Sequence, residues 1–134
     1  MEINLKNVEV MIAVPCGATL NWKTVQSIVE TCIGLKQEQI KFIFQMVAGC
    51  SIVEHARTQV CNTFLKSDMN TLFMIDSDMT WTFKDFIRLL ALSTKMEVVS
   101  AAYPAKNDKK TFLLKGCEGT LKTNEYGCLP IGGV

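Results

Sequence analysis

Two carboxylates separated by one residue, Asp76 and Asp78, stand directly after the short apolar run Thr71-Leu72-Phe73-Met74-Ile75. Carboxylate oxygens are hard donors suited to Mg²⁺ or Mn²⁺, and Mg²⁺ commonly sits between one or two carboxylates and the phosphates of a substrate. The run before them is rich in β-formers and reads as a buried strand of a parallel sheet. Open parallel sheets bind ligands outside the carboxyl ends of their strands. Asp76-Ser77-Asp78 is therefore a candidate metal-phosphate site. The competing reading is a turn that caps the next helix, because Asp and Ser are common turn and N-cap residues.

Arg57 is the second candidate. On a helical wheel of about 100° per residue, Ile52, Val53, Ala56, Val60, Cys61 and Phe64 spread over one side, and Arg57 projects among them. An arginine on a core-facing side needs a partner, since an unpaired buried charge is very costly. Glu54 one turn earlier, an aspartate from a strand end, and a phosphate gripped bidentately all satisfy it. Its place near a helix N-terminus favours an anion. His55 falls on the polar side of the same helix and reads as solvated. The third candidate is Pro15-Cys16-Gly17, the βα turn after the first strand, where nucleotides often lie. The turn lacks both G-x-G-x-x-G and G-x-x-x-x-G-K-[ST], so neither a nicotinamide cofactor nor a P-loop ATPase is supported.

Strand and helix patterns alternate, the signature of an α/β fold with a mostly parallel sheet. Strands are expected at 8–14, 40–47, 71–75 and 97–101. The first helix spans 22–33, with Asn21 as N-cap, Gly34 as terminator, and Trp22, Val25, Ile28, Val29, Cys32 and Ile33 as its core face. Ser51 and Glu54 have capping-box spacing and open a helix running to about residue 66. Thr82 and Asp85 repeat that spacing and start a third helix, with Phe83, Phe86, Ile87 and Leu90 on one face. A polar loop at 107–110 and a hairpin of 111–114 with 119–122 follow. Trp22, Trp81 and Tyr103 are expected to pack against the helices above the strand ends rather than to stack on a base.

The length of 134 residues fits one domain, 1–134. A net charge of +1 and a charged fraction of 20% provide no basic stripe, so nucleic acid is not indicated as a partner. The polar start and the lack of a long apolar run imply no signal peptide and no membrane span, hence a cytoplasmic chain. The six cysteines are scattered without a C-x-x-C and read as reduced, small buried hydrophobes. With one histidine and no cysteine pair at ligand spacing, a zinc site is not indicated.

Ile75-Asp76-Ser77-Asp78-Met79-Thr80 resembles the first motif of haloacid-dehalogenase-type phosphatases, in which the first aspartate is the nucleophile; Ser100 and Lys106 would imitate the next two motif residues, and no acidic pair follows. The fuller resemblance is to GT-A-type glycosyltransferases, especially the small nucleotide-sugar-dependent enzymes of phages and bacteria. It is carried by Met11-Ile12-Ala13-Val14-Pro15-Cys16-Gly17, Glu54-His55-Ala56-Arg57-Thr58-Gln59, the strand ending in Asp76-Ser77-Asp78, and Val98-Val99-Ser100-Ala101-Ala102-Tyr103-Pro104-Ala105-Lys106. The resemblance implies a Rossmann-like GT-A three-layer α/β/α sandwich that binds a UDP-sugar with Mn²⁺ or Mg²⁺. It places the nucleoside at Pro15, Cys16 and Gly17, the nucleotide near Arg57 and Ser77, ribose at Asp76, and the metal chiefly at Asp78 with Asp76. The sugar acceptor and the catalytic base are not specified. The pattern still alternates where the sequence stops at Val134, so the nucleotide-binding half without its acceptor half is expected, with self-association closing an uncovered edge.

Overall fold

The computed structural model describes residues 5–103 and 122–129. Six elements alternate: β1 (Glu9–Pro15), α1 (Trp22–Gln37), β2 (Lys41–Val47), α2 (Val53–Leu65), β3 (Thr71–Met74) and α3 (Phe83–Ser93). The strands form an all-parallel open sheet in the order β2-β1-β3. β1 pairs along its whole length with β2, from Glu9 opposite Lys41 to Pro15 opposite Val47, and from Val10 to Ala13 with β3. With neighbours on both sides, β1 is buried from Val10 onward, whereas the edge strands are largely exposed or half-buried.

Alternation along β1 sends its side chains into two separate cores. Val10 and Ile12 join Leu35 of α1 with Phe86 and Leu90 of α3. Ala13 joins Val47 of β2 with Ala56 and Val60 of α2. The chain therefore runs from β1 outward to β2, then back past β1 to β3. This reversal puts a topological switch point between the carboxyl ends of β1 and β3, where an open α/β sheet leaves a crevice.

The third helix follows its expected pattern, with Phe86 and Leu90 buried and Phe83 and Ile87 packed against the same core. Its capping box is present: the Asp85 amide donates to Thr82 Oγ1 at 3.2 Å and the Thr82 amide to Asp85 Oδ2 at 3.1 Å. Thr82 Oγ1 also donates to Asp85 Oδ2 at 2.7 Å, and this bond, followed by that from the Thr82 amide, holds the Asp85 carboxyl below its ordinary pKa, because both are strongest to the ionised form.

Other expectations are corrected. Asn21 caps α1 as anticipated, accepting from the Lys23 amide at 2.9 Å, but Gly34 does not end the helix, which runs on to Gln37. Gly34 is buried instead beneath Phe83, and a Cβ there would lie 2.6 Å from the ring. The inward face of α1 is also turned away from the expected one. Of the expected residues Ile28 is buried and Cys32 half-buried, while Trp22, Val25, Val29 and Ile33 are exposed, Trp22 to 68%; Thr24, Ser27, Thr31 and Leu35 are buried in their place. Burying three hydroxyls is tolerable because each is hydrogen-bonded.

In α2 the N-cap is Ile52, one residue after Ser51, and it makes no side-chain cap. Of the apolar arc expected there, Ala56 and Val60 are buried, Phe64 is half-buried, and Ile52, Val53 and Cys61 are exposed. Residues 97–101 form no strand; Val98 and Val99 line a groove beside Leu72 and Phe73 of β3 without ladder bonds, and Val98 is 88% exposed. High β-propensity describes a side chain that suits a pleated surface and does not supply the ladder partner. Among the described cysteines, all five are free thiols, yet only Cys16 is buried; burial of Cys32 is partial and raises its pKa. Cys117, the loop at 107–110 and most of the expected hairpin lie outside the described residues.

Candidate functional site

A cavity of about 300 Å³ occupies the crevice at the switch point. Pro15, Cys16 and Gly17 line it from the end of β1, Asp76, Ser77 and Asp78 from the end of β3, and Arg57 from α2. All seven residues singled out in the sequence therefore meet at one place, although they come from three segments spread over more than sixty positions. Cys50, Val53 and Ala56 complete the lining and were not anticipated. Val53 and Ala56 were legible as members of the α2 arc; nothing in the local sequence marks Cys50.

Backbone hydrogen bonds fix both lips. On the β1 side the Cys16 amide donates to Val47 O at 2.8 Å, and the Gly49 amide to Gly17 O at 3.1 Å. Gly49 takes a φ of +76°, a left-handed conformation that favours glycine, which lets the chain turn back toward Gly17. On the β3 side the Ile75 amide donates to Ala13 O at 3.0 Å, extending the ladder past Met74 to the first aspartate. The Met79 amide then donates to Asp76 O at 3.3 Å, so Asp76-Ser77-Asp78 is also a turn.

The hydroxyl face of α1 holds that turn in place. Thr24 Oγ1 donates to Ser77 O at 3.1 Å, and the Asn21 amide reaches the same carbonyl at 3.4 Å. Ser27 Oγ donates to Trp81 O at 2.8 Å and accepts from the Trp81 amide at 3.1 Å. Trp81 Nε1 donates to Thr31 Oγ1 at 2.9 Å. These three hydroxyls at positions 24, 27 and 31 share one helical face, a spacing visible in the sequence but overlooked beside the apolar stripe.

Arg57 finds its partner at the strand end. Its Nη2 lies 3.1 Å from Asp76 Oδ1, and the two side chains are 50% and 48% exposed. Glu54 is not that partner; its carbonyl accepts from Thr58 Oγ1. The expectation of a core-facing arginine is thus corrected to a half-exposed one at the cavity rim. Arg57 and the exposed start of α2, which lacks a side-chain cap, present positive character to the cavity beside two carboxylates.

Among the described residues no three His, Cys, Asp or Glu side chains gather as a metal cage. Two carboxylates in an open turn nevertheless suit a hard cation that takes its remaining oxygens from phosphate and water. His55 is exposed and lies outside the lining, as do Trp22, Trp81, Ser100 and Tyr103. Trp81 packs on α1 as expected, whereas Trp22 does not. Lys106 lies outside the described residues. No helix among the described residues is long and apolar enough to cross a membrane. No family model, curated protein or solved structure matches the chain.

Proposed function

We propose that the chain is the nucleotide-binding domain of a GT-A-like, metal-dependent glycosyltransferase, that its donor is a UDP-sugar, and that its α/β architecture belongs to the three-layer α/β/α type. One observation carries this reading: Asp76, Ser77 and Asp78 share a switch-point cavity with Arg57 and with Pro15, Cys16 and Gly17. Acidic, basic and neutral backbone groups then face one space, which suits a ligand that is part diphosphate and part nucleoside. The apposition of ladder-anchored strand ends gives the site a rigid frame.

In this reading Asp78 is the principal ligand of Mn²⁺ or Mg²⁺, with Asp76 beside it and within reach of ribose hydroxyls. When bound, the cation neutralises charge developing on the diphosphate leaving group. Arg57 binds phosphate, and Pro15 to Gly17 hold the nucleoside. Thr24 and Ser27 orient the acidic turn by fixing Ser77 and Trp81.

Calorimetric titration of UDP with Mn²⁺ and with a chelator tests the proposal. At about 100 times its Kd, the ligand adds roughly 2.7 kcal/mol of apparent stability. Asp78→Asn is expected to keep the fold and lose most of the metal-dependent part. Equal UDP affinity with Mn²⁺ and with chelator refutes the metal site. A second reading, nucleotide binding without transfer, has one observation in its favour: the described lining holds no acid besides Asp76 and Asp78 to serve as a base. Acceptor-dependent release of UDP from a panel of UDP-sugars, with pooled glycans as acceptors, separates the two.

A further inference from the structure

We propose that Arg57 is a resident counter-cation of the acidic turn, held on Asp76 until a divalent cation displaces it, and that the displacement hands its guanidinium to the incoming phosphate. The inference rests on the functional reading above and concerns how that site is switched.

The pair joins two separate elements, α2 and the end of β3, across the cavity that both line. Its contact at 3.1 Å uses one guanidinium nitrogen and one carboxylate oxygen, with about half of each side chain in solvent. A cation in the coordination sphere of Asp76 would stand next to that guanidinium, and the like charges repel. The contact is also easily broken. Exposed pairs are worth so little that separating one lowers affinity for a competitor by at most about fivefold.

The two ligands then assist one another through a single side chain. The cation removes Arg57 from Asp76, and the phosphate offers the released guanidinium a better anion, gripped bidentately. Because no third protein ligand joins the two carboxylates among the described residues, the cation in turn relies on phosphate oxygens. Such coupling is reciprocal: each ligand raises the affinity of the other by the same factor.

The test uses the full chain and Mg²⁺ without nucleotide, following the Arg57 Nε–H resonance by NMR, with Asp76→Asn marking the position of the broken pair. Mn²⁺ and UDP affinities are measured by calorimetry for the wild type and Arg57→Gln. The expected result is that Mg²⁺ moves the Arg57 resonance to the Asp76→Asn position. In Arg57→Gln, Mn²⁺ alone is expected to bind about two- to fivefold tighter, while UDP with Mn²⁺ binds more weakly. A resonance unmoved at saturating Mg²⁺, or Mn²⁺ binding no tighter in Arg57→Gln, overturns the exchange. The resonance is read on the wild-type chain and so decides the question even where Arg57→Gln does not fold. If the wild type binds neither cation nor UDP, the functional reading falls and the exchange with it. If it binds both while Arg57 stays on Asp76, the exchange alone falls.

Discussion

Ser27→Ala is expected to destabilise the protein more than Val29→Ser, the reverse of what the two residue types imply. Ser27 is buried, and its hydroxyl satisfies both backbone groups of Trp81, donating to the carbonyl at 2.8 Å and accepting from the amide at 3.1 Å. Alanine removes both bonds at once. With each net bond worth about 0.5–1.5 kcal/mol, and part-buried groups left unpaired, the loss comes to about 1–3 kcal/mol. Val29 is 50% exposed on the outward face of α1, where substitutions usually change stability by about 0.5 kcal/mol or less. Urea unfolding followed by tryptophan fluorescence reads both variants, with the midpoints compared at equal slope. Ser27→Ala should also weaken metal-dependent UDP binding, since Trp81 anchors the end of the acidic turn. A loss of about 2 kcal/mol in Val29→Ser, alongside less than about 0.5 in Ser27→Ala, would refute the inverted orientation of α1.

Gly34→Ala sets a gain in helix propensity of about 1 kcal/mol against overpacking of about 1–3 kcal/mol; with a Cβ at 2.6 Å from Phe83, a net loss is expected in urea unfolding, with partial recovery on adding Phe83→Leu. Thr82→Ala removes the third-helix cap at a cost of about 1 kcal/mol. It should also flatten the acid limb of the stability curve. The folded-state pKa of Asp85 is lowered, so its contribution is present above the ordinary carboxylate pKa and is lost as pH falls through the folded value; melting temperatures taken downward from pH 5 should therefore converge for wild type and variant. A variant that stays less stable by a constant amount down to the lowest pH would contradict that assignment.

Periodicity by itself determined the order of the six described elements and five of their six starts to within a residue, because a buried strand and a capped helix each leave a local pattern, although the same pattern at 97–101 forms no strand. It also marked all seven candidate residues, since carboxylates, an arginine and a glycine turn at strand and helix ends are local features. Tertiary structure decided which of them meet and who partners whom. That Arg57 pairs with Asp76 rather than Glu54 depends on where α2 crosses the end of β3, and no local spacing encodes it. The inward face of α1 was decided the same way. Apolar residues outline one stripe and small hydroxyl residues another, and hydropathy alone selects the first. The second faces inward because Ser77 and Trp81 offer Thr24, Ser27 and Thr31 partners for every buried hydroxyl, and because Gly34 lets Phe83 come close. A buried polar group is costly or harmless according to its partner, and that partner lies some fifty residues away in the chain.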